Sequence, residues 1–238
     1  MNGRVMSRLG WQRRVELPGD LDADFVPLYK QCRPFTMTSA ERLFAVYKAM
    51  QYLAAAEVPG DVVECGVWRG GSSMMAVLSA AAAGDTCRRA FLYDTFEGMT
   101  RPGSQDGKHA RLRWEHGIAS DHNEWCYAPL EDVRNNMLAT GLDEKRLCLV
   151  KGPVESTLYE TVPKRIALLR LDTDWYASTK VELEVLYPLL SVGGVLIIDD
   201  YGHWAGSRQA VDEFFGNGGM SLLFHRVDDT ARVAVKSI

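Results

Sequence analysis

Four aspartates fall in two pairs in the C-terminal half of the chain, Asp172 and Asp174 within LRLDTDW and Asp199 and Asp200 within VLIIDDY. Each pair closes an apolar run of strand composition, so two acids stand at each of two predicted strand ends. Capping of a following helix or turn accounts for one acid at each end, Asp174 or Asp200, but not for the doubling at both. Carboxylates gathered from neighbouring strands raise one another's pKa or demand a cation. Hard oxygen donors favour Mg²⁺ or Ca²⁺ over zinc. A divalent cation held there makes a substrate hydroxyl more acidic, and a nearby carboxylate, or His203, can take its proton as general base.

A second group of residues suits a cationic small molecule. The run Glu64-Cys65-Gly66-Val67-Trp68-Arg69-Gly70-Gly71-Ser72 joins a predicted strand to a predicted helix, and in a doubly wound sheet ligands bind at such strand-to-helix turns. Its glycines let backbone approach a ligand closely, and its opening acid suits the amino-acid end of S-adenosylmethionine. Glu64, Gly66, Val67, Trp68 and Ser72 are the binding candidates of this turn. Asp94, with Thr95 and Gly98 behind it, ends the next strand and is expected to accept hydrogen bonds from ribose hydroxyls. It lies 30 positions after Glu64, whereas a dinucleotide fingerprint expects its acid about 20 after the glycines. That spacing and the glycine pattern argue against a nicotinamide enzyme. Gly152 and Glu155, past the third strand, are candidates for the adenine side.

Positioning these residues requires strands and helices in alternation. A capping box at Thr38-Ser39-Ala40-Glu41 opens a helix carrying Leu43, Phe44, Tyr47, Met50 and Leu53 at helical spacing. Strands are predicted at 61–67, 90–94, 146–150, 166–172 and 195–199. Helices are predicted at 72–83, 129–139, 178–190 and 207–215, with a short turn of helix near 156–161. The helix at 178–190 is expected to stop at Gly193-Gly194. Segments 220–226 and 232–236 flank Asp228-Asp229-Thr230 as a hairpin. The outcome is an α/β fold: a doubly wound, mostly parallel seven-stranded sheet with an antiparallel C-terminal hairpin, Rossmann-like in architecture. Residues 1–35 read as an irregular N-terminal arm and 36–238 as one catalytic domain. Residues 97–128 show no sustained period and are expected to form a lid that excludes water.

Composition narrows the partners. The chain has 238 residues, 47% hydrophobic and 24% charged, with a formal charge of −4. An acidic balance argues against nucleic acid or an anionic membrane as partner. No apolar run reaches the length of a membrane span, and the N-terminus lacks the apolar core of a signal peptide, so a cytoplasmic protein is expected. Five scattered cysteines without a CxxC indicate neither a disulfide framework nor a zinc ribbon. Trp11 and Phe25 in the arm suggest a contact surface, and with it a homo-oligomer.

The runs VVECGVWRGGSS, YDTFEGM and LRLDTDWYASTKVELEVLYPLLSVGGVLIIDDYG together resemble the macrocin O-methyltransferase family over roughly residues 36–215. The resemblance implies a class I methyltransferase fold, S-adenosylmethionine, a divalent metal usually taken as Mg²⁺, and methylation of a deoxysugar hydroxyl on a natural-product scaffold. It implies that Glu64, Gly66 and Asp94 hold the cofactor, that Asp172, Asp199 and Asp200 bind metal, and that Asp172 is also a base. Thr36 and Met37 resemble the segment that closes over the cofactor. The chain departs from the family at Thr173, Ala177 and Pro129, where Gly, Glu and Ser are common; the first two changes bear on the acceptor pocket, the third on a cofactor contact. Two other functions fit the same residues: metal-dependent methylation of a phenol or catechol, and ligand binding without turnover. The second would be marked by loss of the metal acids, which are present.

Overall fold

The computed structural model of the chain describes residues 17–217 and 222–237. Its frame is a seven-stranded sheet in the order β3-β2-β1-β4-β5-β7-β6. Strands β1 (Asp61–Cys65), β2 (Ala90–Asp94), β3 (Leu147–Lys151), β4 (Ile166–Leu171) and β5 (Leu190–Ile198) run parallel. Strand β7 (Arg232–Val235) runs antiparallel to β5 and to the short β6 (His225–Arg226). The expected architecture is therefore present.

The strand order reverses at β1, which pairs with β2 on one side and β4 on the other. Such a switch point opens a crevice at the carboxyl edge of the sheet. Register then aligns the acids. Cys65 lies beside Leu171, and Leu171 beside Ile198, so the residues that follow leave three adjacent strands at one level.

The two faces of the sheet follow the period of two. Val62 and Leu168 pack among residues of α1 (Phe25–Cys32), α2 (Ala40–Ala55) and α3 (Gly71–Ala82). Val63 and Leu169 pack against α7 (Tyr176–Leu186) and α8 (Ala205–Asn217) on the other face. With both faces covered, β4 is buried along its whole length, Arg170 included.

Several elements differ from expectation. The stretch expected to be irregular contains α1, and Phe25 is wholly buried against Phe44 at a centroid distance of 5.1 Å. Pro27 lies in the first turn, where a missing N–H costs no helical bond. Phe25 is thus a core residue and not a contact surface; Trp11 lies outside the described residues. The cap of α2 is Ser39, whose Oγ accepts from the Arg42 amide at 3.1 Å, while the Thr38 amide donates to Thr36 Oγ1 at 3.1 Å. Helix α7 ends at Leu186, because Pro188 cannot continue it, and Gly193-Gly194 lies within β5, bonded to Lys236 at the end of β7.

The expected lid contains α4 (Gly107–His116). Ala110 is the only residue of that helix to be buried, which is why no apolar period announced it. Among the described residues, no helix is long and apolar enough to cross a membrane.

Candidate active site

Two adjoining cavities open at the switch point. A narrow one is lined by residues that include Thr95, Gly152, Glu155 and Thr173. A larger one, of about 400 Å³, is lined by Met37, Trp68, Trp125, Asp174, Asp200 and Trp204 among others. Gly66, Asp94, Gly98, Met99 and Asp172 belong to both walls.

The β1 turn is shaped by close backbone approach. Gly66 has φ +80°, and a Cβ there would overlap the carbonyl oxygen of Asp172. Asp94 ties this turn to the next strand tip: Oδ2 accepts from the amides of Val67 (2.7 Å) and Trp68 (3.0 Å), and Oδ1 from Phe96 (2.8 Å). Burial pushes the Asp94 carboxyl up, and these amides oppose the rise. Trp68, Phe96, Cys126 and Asp174 hold positive φ values of 47°, 54°, 59° and 70°. Strained backbone of this kind collects where neighbouring structure over-determines it.

Beneath the cavities a buried arginine spans three strands. Arg170 of β4 is 3% exposed; its Nη1 pairs with Glu64 of β1 and lies 2.8 Å from Asp172 Oδ2, and its Nη2 pairs with Asp199 after β5. The second Asp199 oxygen pairs with Arg42 of α2. Glu64 also accepts from the hydroxyls of Ser72 and Ser73. Desolvated ions persist only when so compensated.

The residues expected at the cofactor fall into two groups. Glu64 and Ser72 lie in the ion network below the cavity floor, and Val67 and Thr36 are buried behind the walls. By contrast Met37, Gly66, Trp68, Asp94, Thr95, Gly98, Gly152 and Glu155 do line the cavities.

Above the arginine, Asp172, Asp174 and Asp200 each turn one carboxylate oxygen inward, and these oxygens lie within 4.8 Å of one another. Asp200 Oδ2 is buried without a hydrogen-bond partner. Burial is the main force raising all three carboxyls; it takes Asp174 up to about 7, with a hydrogen bond to Asp200 opposing and the charges of Asp172 and Asp199 adding. Of the expected trio, Asp172 and Asp200 belong to this cluster together with Asp174, while Asp199 lines the larger cavity with both its oxygens paired to arginines.

The opposite wall is aromatic. Trp125 and Trp204 line it, tilted to each other at 5.9 Å, and buried Trp175 packs edge to face behind them at 5.6 and 5.2 Å; Arg113 sits over the Trp125 ring at 4.3 Å. His203 stands exposed on the rim against Trp204. The segment 97–128 is tied down by Trp175 Nε1 donating to the Thr100 carbonyl (3.0 Å). Asp106 adds to this by accepting from the amides of Gly103 and Tyr176 (2.7 Å each).

Thr173 lines the narrow cavity and donates its hydroxyl to buried Glu182 at 2.9 Å. Ala177 is exposed and lines neither cavity, and Pro129 caps α5 (Leu130–Leu138). Sequence reasoning overlooked Arg42, Arg170 and the tryptophan wall. One signal was available: an arginine inside the apolar run IALLRL has to find acids.

A switch-point crevice with an acid-tipped second strand and a carboxylate cluster beside it is compatible with the architecture of the class I O-methyltransferases, which the similar solved structures share. The solved structure of the O-methyltransferase NovP is similar, with a TM-score of 0.77 and 29% identity over 86% of this chain and 83% of that one. The S-adenosylhomocysteine-bound methyltransferase PaMTH1 of Podospora anserina shares the fold, with a TM-score of 0.57 at 15% identity over 91% of this chain and 89% of that one. Residues 28–235 match the macrocin O-methyltransferase (TylF) family, and the chain belongs to it. Two relatives illustrate its range. A tetracenomycin rhamnosyl 4'-O-methyltransferase of Streptomyces olivaceus is 40% identical over 82% of this chain and 73% of its own. Mycinamicin III 3''-O-methyltransferase of Micromonospora griseorubida is 34% identical over 78% and 72%.

Gly66→Ala tests the crevice. Left-handed strain alone costs about 1–2 kcal/mol, and overlap with the Asp172 carbonyl adds to it. Affinity for S-adenosylhomocysteine, measured by titration calorimetry, is expected to fall about tenfold or more. Unchanged affinity would place the cofactor elsewhere.

Proposed function

We propose that this enzyme methylates a hydroxyl of a deoxysugar carried on a natural-product scaffold, with Mg²⁺ held by Asp172, Asp174 and Asp200. The observation that carries this reading is the convergence of carboxylate oxygens of Asp172, Asp174 and Asp200 in a cavity sharing its wall with the cofactor crevice, with a buried unpartnered oxygen on Asp200. An all-oxygen donor set with an unsatisfied buried acceptor fits a hard divalent cation. The sugar follows from the relatives, whose names specify a rhamnosyl group in one case and a mycinamicin in another.

When bound, Mg²⁺ supplies charge that stabilises a developing alkoxide. The protein's own residues do the rest. The turn at Gly66 and the carboxylate of Asp94 hold the methyl donor, and Trp125 and Trp204 give the acceptor ring an aromatic side of the cavity. Correct placement of oxygen and methyl carbon supplies much of the acceleration. A carboxylate of the cluster, or His203 at the cavity rim, takes the acceptor's proton. Asp172 Oδ2 lies 2.8 Å from Arg170 Nη1 and His203 stands on the rim, and both line the larger cavity as candidates for that role.

Mass spectrometry of products from paired acceptors tests the function. A glycoside bearing free deoxysugar hydroxyls is expected to gain one methyl group and a catechol none; the reverse pattern selects the catechol alternative, and S-adenosylmethionine binding with neither product would leave a non-catalytic domain. Chelation with EDTA is expected to remove activity and added Mg²⁺ to restore it. Full activity in EDTA would discard the metal.

A further inference from the structure

The C-terminal hairpin holds a carboxylate with two jobs. Asp228 Oδ1 accepts from the amides of Thr230 (2.9 Å) and Ala231 (2.8 Å) and from Thr230 Oγ1 (3.2 Å), which shapes its own turn. Its Oδ2 faces the other end of the chain. It accepts from Ser39 Oγ at 2.9 Å and lies 2.9 Å from Arg42 Nε. Ser39 caps α2, and the residues just before it, Met37 and Thr38, line the larger cavity together with Gly66, Trp68 and Asp94. Met37 is 60% exposed and reaches the cavity from the solvent side, and Thr230 lines that cavity from the hairpin. One carboxylate thus joins two segments that are far apart in sequence and flank the same opening.

We propose that Asp228 is a positioning residue that latches residues 36–42 over the reaction cavity and thereby sets the enzyme's hold on S-adenosylmethionine. The proposal rests on the assignment of this cavity to the methyl donor. Nothing in the latch touches the carboxylate cluster directly. Arg42 joins the latch instead to the buried ion network, since its Nη1 pairs with Asp199 while its Nε lies 2.9 Å from Asp228 Oδ2. Opening the latch frees the segment that carries Met37 and Thr38 without removing a group from the reacting atoms. The effect falls on donor binding more than on the chemical step.

Asp228→Asn separates the two jobs. The amide oxygen can still accept from Thr230 and Ala231, so the turn persists, while an NH₂ group replaces the oxygen that faced Ser39 and Arg42. The dissociation constant for S-adenosylhomocysteine and the KM for S-adenosylmethionine are expected to rise about tenfold, the loss of a charge-assisted pair, with kcat changing less than about twofold. Asp228→Glu, which returns the charge, is expected to recover part of the affinity. Hydrogen exchange at amides 36–42 is expected to quicken in the Asn variant.

Wild-type protein supplies a measurement that needs no variant. The latch is partly exposed, so salt screens it, and the KM for S-adenosylmethionine is expected to climb between 0.05 and 0.5 M NaCl (about 14 to 4 Å in screening length). Wild-type enzyme that binds S-adenosylhomocysteine and an Asn variant that binds it equally tightly would overturn the latch. So would a KM indifferent to salt. Wild-type enzyme that fails to bind S-adenosylhomocysteine would instead remove the assignment of the cavity.

Discussion

Asp172→Asn is expected to abolish turnover while leaving cofactor affinity within a few-fold. Asp172 occupies the wall common to both cavities and contributes one of the three converging oxygens. The amide keeps the volume but removes a charge. Its carbonyl is a weaker ligand for a hard cation than a carboxylate. Loss of several kcal/mol of charge stabilisation at a developing alkoxide corresponds to about a hundred- to ten-thousandfold in rate. The fold is expected to survive, because Arg170 keeps Glu64 and Asp199 as partners. Two assays check this: single-turnover rates and titration with S-adenosylhomocysteine. A kcat within a few-fold of wild type would remove Asp172 from the reaction, and a loss of both rate and affinity would make it a cofactor residue instead.

Arg170→Met is expected to act on the fold itself. The substitution approximates the length of the side chain but leaves Glu64 and Asp199, each 2% exposed, without their shared cation. Removing one partner of a buried pair costs about 3–5 kcal/mol, which for a chain of this size lowers Tm by about 6–20 °C. Arg170→Lys retains charge, but a single ammonium cannot reproduce the planar fork that serves several carboxylates at once. Its Tm is expected to fall between those of Met and wild type. Differential scanning calorimetry decides the matter. A Met variant melting within 2 °C of wild type would show the network to be dispensable.

The two arguments meet at one place in the fold. Arg170 lies below the carboxylate cluster and Asp172 within it, and their 2.8 Å contact joins floor to site. The strand that carries the chemistry also carries the charge that lets four acids gather at its tip.

The primary structure determined much of this directly. The acid pairs follow apolar runs, so their place at two strand ends was legible from composition and period alone. Register between neighbouring parallel strands then left little freedom. The glycines at 66, 70 and 71 announced the turn, and the alternation of elements announced the sheet and its C-terminal hairpin. What escaped were features without local period. Helix α4 hides in the lid because it buries one residue, and α1 because its proline suggested irregular chain.

Tertiary structure alone decided which acid does what. Glu64, Asp172, Asp174, Asp199 and Asp200 look alike along the chain, each a carboxylate near a strand end. Side chains on one face of a sheet meet across strands, and only the strand order β1-β4-β5 brings Arg170 between Glu64 and Asp199. That contact withdraws those two acids into the floor. Asp172, Asp174 and Asp200 are left facing the cavity, where burial without enough positive charge fits them for a cation.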